Sequence, residues 1–198
     1  CHSTNLRKAY DVATNRYATT WSEIDVGCEA CHGPGSRHVA WADAAARGEK
    51  DSTLANSGLV ARLGAGDAAQ WVLDEGASIA HRVPPRSDHA EFETCAPCHA
   101  RRATLREARL PGEALLATHR PALLDPGLYE ADGQMRDEVY DYGSFLQSRM
   151  HAAGVTCSDC HDPHSTRLRA GGDALCGRCH RESVYATPQH HHHDSDSA

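Results

Sequence analysis

Residues 157–180 read CSDCHDPHSTRLRAGGDALCGRCH, in which Cys157-Ser158-Asp159-Cys160-His161 and Cys176-Gly177-Arg178-Cys179-His180 state one pattern twice, 14 residues apart. Each is a pair of cysteines three apart with a histidine directly behind. Working outward, the same C-x-x-C-H pattern stands at Cys95-Ala96-Pro97-Cys98-His99 and at Cys28-Glu29-Ala30-Cys31-His32, and the sequence opens on Cys1-His2, the last two positions of a fifth. On that reading none of the 9 cysteines is left over. On a helical turn, cysteines at i and i+3 lie on one face, and the histidine follows within reach of whatever they hold.

The composition asks for such a partner. Of 198 residues 40% are hydrophobic but only 6% aromatic, with 2 Phe and 2 Met, and the mean hydropathy is −0.58. That is a thin core for a length that ordinarily forms one or two domains with a sizeable interior, so something other than side chains is expected to fill it. The balance of 20 Lys+Arg against 27 Asp+Glu gives −7. Such a chain offers no basic footprint to nucleic acid or to an anionic membrane. No run approaches the ~18 consecutive apolar residues of a membrane helix, and no charged segment followed by an apolar one marks an export signal. No nucleic-acid partner and no membrane insertion of this chain are expected.

C-x-x-C-H is the attachment site of c-type haem: the sulfurs form thioethers to the porphyrin vinyl groups and the histidine takes the iron. Disulfides, or two zinc sites of four cysteines each, would use the pairs without needing the histidine. His is 15 of 198 residues, so chance would place it behind all four pairs with a probability of about 3 × 10⁻⁵. The expected cofactor is therefore haem c, at four complete motifs and possible at a fifth. Cys28, Cys31, Cys95, Cys98, Cys157, Cys160, Cys176 and Cys179, with Cys1, are the attachment residues. His32, His99, His161 and His180, with His2, are the proximal iron ligands. Cys1 alone provides one thioether, which leaves the fifth haem open.

A low-spin electron-carrying haem needs a second axial ligand, and Met135 and Met150 are too few to supply four or five irons. His38 follows the Gly33-Pro34-Gly35 turn, where Ser36 is placed to cap a helix toward Gly48. His164 lies beyond Pro163, which redirects the chain away from the face His161 takes. His151 and His89 each stand six residues before a first cysteine, His119 lies in Ala117-Thr118-His119-Arg120-Pro121, and His190 to His193 form a run near the C-terminus. His38, His119, His151, His164 and His191 are the candidate distal ligands, with His81 and His89 less favoured. Arg101, Arg102 and Arg106 are placed to meet haem propionates.

The spacing between motifs predicts short helices joined by long irregular loops, with few or no strands: a mainly α, compact multihaem cytochrome fold organised around stacked haems. Helix is expected over Ala40 to Gly48, Ala100 to Leu110 and Tyr140 to Met150. Gly58 to Gly66 reads as loop, and Ala68 to Asp74 as a short helix or strand. Residues 1–189 are expected to form one haem-bearing domain, and the His-rich, acidic 190–198 a disordered tail.

The stretches WSEIDVGCEACHGPGSRHVAW (21–41), TCAPCHARR (94–102), THRPALLDPGLYEADGQMRDEVYDY (118–142) and GSFLQSRMHAAGVTCSDCHDPHS (143–165) resemble bacterial multihaem c-type cytochromes with doubled C-x-x-C-H motifs. That group is related in pattern to hydroxylamine-oxidoreductase-linked tetrahaem cytochromes, and many members carry tetratricopeptide repeats further on. The resemblance implies a complete motif ending at Cys1-His2, a chain cut at both ends, and distal ligation by His38, His119, His164 and one residue of the 190–193 run. It does not extend to His81, His89 or His151.

The expected function is one-electron transfer along covalently bound bis-histidine haems, with other redox proteins as donor and acceptor and no substrate chemistry. The expected location is periplasmic or extracellular, the parent being exported. Two other classes stand beside it: a haem enzyme acting on nitrogen or sulfur oxyanions at one open distal site, and a zinc-binding module.

Overall fold

The structure is a computed structural model and describes residues 2–49, 54–61, 63, 69–122 and 124–193. Short helical turns carry most of its regular structure. Strands are few, and those among the described residues form three two-stranded antiparallel ribbons. No described helix is long and apolar enough to cross a membrane. The chain divides into two compact units, one of residues 1–63 and 89–148, the other of 64–88 and 149–198.

The first unit opens with a hairpin arm. Tyr10–Asp11 pairs with Arg16–Tyr17, and bridges from Thr4 to Glu23 and from Arg7 to Thr20 lengthen it. The Asp11 carboxylate closes the turn by accepting from the Ala13 N–H at 2.9 Å and the Thr14 hydroxyl at 2.7 Å. Those bonds hold its pKa below the usual carboxylate range, the Thr14 hydroxyl first among them. At the base, the buried Thr4 hydroxyl donates to the Asp25 carbonyl and accepts from the Gly27 N–H, delivering the chain into the Cys28–His32 helix. The next helix, Ser36–Ala46, corrects the expectation at its start: Gly35 holds the cap position without a side-chain bond, and Ser36 is already the first helical residue. The apolar centre of this unit gathers on the Ala90–Cys95 helix, where Phe92 stacks on Tyr142 at 5.0 Å and meets Phe145 at 5.6 Å. Leu115 and Val139 are buried in the same unit.

Two predicted helices differ. Ala100 to Leu110 is not helical; Arg102–Thr104 is a strand paired with His119–Pro121. Alanine-rich composition favours helix only weakly, and cross-strand pairing overrides it. Ala108, with φ +58°, also lies outside helical space. The Tyr140 to Met150 helix is two turns, Asp141–Leu146 and Arg149–Ala152, with Gln147 and Ser148 between them.

In the second unit, Gln70–Val72 pairs with His81–Val83, so the regular part of the ambiguous 68–74 segment is a strand of three residues. Helical turns follow at Arg149–Ala152, Cys157–Cys160, Asp173–Cys176, Glu182–Tyr185 and Pro188–His191. The ribbon and its extension are tied to these turns: Trp71 donates its indole N–H to Asp159 at 3.0 Å, Ala80 N–H donates to Cys179 at 2.7 Å and Arg181 N–H to Ser78 at 2.9 Å. Ala80 is the single buried apolar residue among those described in this unit, while Ile79, Val83, Met150, Leu168 and Val184 stay exposed. His190 and His191 belong to the last turn, and Asp194–Ala198 lie outside the described residues.

Candidate haem-attachment sites

All four complete motifs adopt the same local form. The first is the Cys28–His32 helix itself. In the other three the histidine N–H donates to the carbonyl of the motif's first cysteine: His99 to Cys95 at 3.1 Å, His161 to Cys157 at 2.9 Å and His180 to Cys176 at 2.8 Å. One helical turn thus presents two thiols and an imidazole together. The eight cysteines of these turns are free thiols, unbridged. No group of three or more His, Cys, Asp or Glu gathers as a metal-binding cluster among the described residues. Paired free thiols and an adjacent imidazole are the donor set that covalent haem requires. Cys1 lies outside the described residues, and His2 is exposed.

Each turn is fixed by its surroundings. Past the first, Gly33 adopts φ +76°, and a Cβ there would meet Val60 at 2.8 Å; the Glu29 carboxylate then accepts the Gly35 N–H at 2.7 Å. At the second, Tyr142 N–H donates to the His99 carbonyl at 2.9 Å, and Arg102 donates to the Pro97 carbonyl. The third is held by Asp159, whose carboxylate accepts the Thr156 N–H at 2.8 Å and faces Arg86 at 3.8 Å. The turn ends at Cys160, earlier than Pro163, because His161 is already extended and bridges to Leu168. The third and fourth motifs are joined directly: Arg178 donates to the Asp159 carbonyl at 2.6 Å. Burial pushes the thiols of Cys31, Cys160 and Cys179 up, with Asp159 adding to the rise at the last two.

Among the candidate distal histidines, two in the first unit have Nδ1 engaged by a neighbouring oxygen. His38, in the first turn of its helix, places Nδ1 2.9 Å from the Ser57 carbonyl, an acceptor only. His119 is buried on the strand that pairs with Arg102–Thr104, its Nδ1 2.8 Å from the Thr118 hydroxyl. Burial first, then the nearby Arg102 and Arg109 guanidinium groups, pushes the His119 imidazole down to about 4, so it is neutral at neutral pH. An imidazole whose Nδ1–H is donated keeps its Nε2 lone pair for a metal.

In the second unit His151 is half-buried on the Arg149–Ala152 turn and His164 is exposed beside Asp162. His191 accepts the His193 N–H on its Nδ1 at 3.1 Å, which puts a neutral ring's proton on Nε2 in this arrangement. Tyr185 stands edge-on to both His180 and His190, each at 4.8 Å. His81 is exposed and faces Asp74 at 3.3 Å, and His89 precedes the Ala90–Cys95 helix. Of the arginines assigned to propionates, Arg101 is paired with Asp137 and Arg106 with Glu113.

Sequence reasoning missed Ser57, Thr118, Asp159, Trp71 and Arg86. The available hints were slight: Asp159 sits inside a motif, and Thr118 stands beside a histidine.

The family described as "Doubled CXXCH motif" matches residues 150–184, and that described as "Cytochrome c554 and c-prime" matches residues 1–33. No curated protein and no solved structure matches. The doubled motifs mark covalently bound haem c. C-x-x-C-H turns lie under both matches, and together with a mainly helical fold with few strands they support a likeness to multihaem c-type cytochromes over those two stretches.

Proposed function

We propose that this chain carries electrons one at a time through four haems, attached at residues 28–32, 95–99, 157–161 and 176–180, each closed by a second histidine. A fifth at Cys1-His2 is part of the same proposal. The observation that carries it is the shared turn: four times, one stretch of backbone presents two unbridged thiols and an imidazole in the same hydrogen-bonded form. Haem supplies reversible one-electron chemistry at iron. The protein's own residues hold the group and fix its axial imidazoles: His32, His99, His161 and His180 on the attachment side, and His38, His119, His151, His164 and a residue of the 190–193 run, His191 or His190, on the other. With every iron closed, no site is left to bind substrate, and the partners are redox proteins that give and take electrons. Covalent haem attachment and the acidic, mainly polar composition fit a periplasmic or extracellular setting.

The chain is to be expressed in a host that matures c-type haem, and its intact mass taken under denaturing conditions beside its visible and carbon monoxide difference spectra. Four or five covalent haems, low-spin and unreactive toward carbon monoxide, are expected. One haem that binds carbon monoxide would turn the reading to an enzyme, and a haem-free chain would end it.

A further inference from the structure

Thr118 is fully buried, 0% exposed, directly after the 3-10 turn Leu115–Ala117 and directly before His119. Its hydroxyl oxygen lies 3.3 Å from the Leu115 carbonyl oxygen and 2.8 Å from His119 Nδ1. A hydroxyl has one proton to give and lone pairs to receive with. The Leu115 carbonyl can only accept, and it also takes the Thr118 N–H at 3.0 Å; with the hydroxyl proton shared there, the oxygen is free to receive the Nδ1–H of His119. That assignment leaves the lone pair on Nε2. His119 is 8% exposed, and its backbone is in register with Thr104 across the ribbon.

We propose that Thr118 is a positioning residue whose hydroxyl fixes the tautomer and orientation of His119 as an axial haem ligand and strengthens Nε2 as a donor to ferric iron. The inference rests on the reading of His119 as a distal ligand. A hydrogen bond from Nδ1–H raises the basicity of the other nitrogen, and a more basic ligand favours the ferric state and lowers the potential of its haem. The partner is neutral, so the effect is smaller than a carboxylate would produce.

The test uses the haem-loaded protein. Thr118→Val keeps the outline of the side chain and removes the hydroxyl. One haem of the set is expected to rise in midpoint potential and one low-spin electron paramagnetic resonance component to shift, the others staying in place. Thr118→Ser is expected to restore both, and Thr118→Ala serves the same purpose as valine if valine does not fold. His119→Ala separates the two levels, since it is expected to convert one haem to a form that binds carbon monoxide. If His119→Ala leaves every haem closed and low-spin, the ligand reading fails and this inference with it. If it opens a haem while removal of the Thr118 hydroxyl leaves potential and spectrum as in the wild type, only the role of Thr118 is overturned. A serine variant displaced as far as the valine one would also overturn it.

Discussion

Asp159 occupies a position that the C-x-x-C-H pattern leaves open to any residue, yet it joins its unit together. Its carboxylate takes the Thr156 and Trp71 N–H groups, and its carbonyl takes Arg178. Facing it is Arg86, and the two side chains are only 14% and 8% exposed. Removing one partner of a buried ion pair leaves the other charge uncompensated, at a cost of about 3–5 kcal/mol. Asp159→Ala is therefore expected to lower the stability of the haem-loaded protein by about 3 kcal/mol, read from urea unfolding followed by circular dichroism. A loss below about 1 kcal/mol would show the pair to be screened by solvent, as exposed pairs are. The cysteines and histidines of the motifs were legible in the sequence because three-residue spacing is a local signal. Trp71 bonds across 88 positions, and nothing within either segment announces the other.

At the scale of elements, the turn Ala55–Gly58 supports the His38 helix. Asn56 and Ser57 both have φ +54°, and Gly58 has φ +80°. A Cβ on Gly58 would lie 2.7 Å from the Arg37 carbonyl oxygen. Gly58→Ala meets both a disfavoured backbone and a backbone clash, and is expected to cost about 1–3 kcal/mol. Because Ser57 holds Nδ1 of His38, the proposed ligation by His38 predicts a change in the low-spin haem spectrum as well; an unaltered melting temperature would show that the turn yields freely. Elements built from neighbours in sequence were readable: the motif turns, the Gly33-Pro34-Gly35 corner and the body of the Ser36–Ala46 helix. Elements built across distance were not. Arg102–Thr104 is a strand because His119–Pro121 pairs with it, and no composition rule applied to residues 100–110 contains that information. Thr118 was unreadable for a related reason, since only the fold shows that its hydroxyl has Leu115 on one side and the imidazole on the other.

For the whole molecule, the thin composition of the sequence reappears as a thin interior, and unevenly. The unit of 1–63 and 89–148 buries Phe92, Leu115, Tyr129, Val139 and Tyr142, whereas the described residues of the other bury Ala80 as their one apolar residue. At about 1.5–3 kcal/mol for each large apolar side chain fully buried, the first gains far more from its own residues than the second. A variant with all eight motif cysteines changed to serine is expected to lose protection from proteolysis across 64–88 and 149–198 before the rest of the chain. Equal protection of both units would mean that side chains suffice. The two family matches fall one in each unit, at 1–33 and 150–184.

The two units are interleaved along the chain, and interleaving turns geometry into timing. The ribbon of Gln70–Val72 and His81–Val83 is made long before the turns that hold it, since Asp159 follows Trp71 by 88 residues and Arg181 follows Ala77 by 104. At a synthesis rate of about 5–20 residues per second, the indole of Trp71 waits roughly 4–18 s for its acceptor. During that interval the ribbon is an unfinished edge of its own unit.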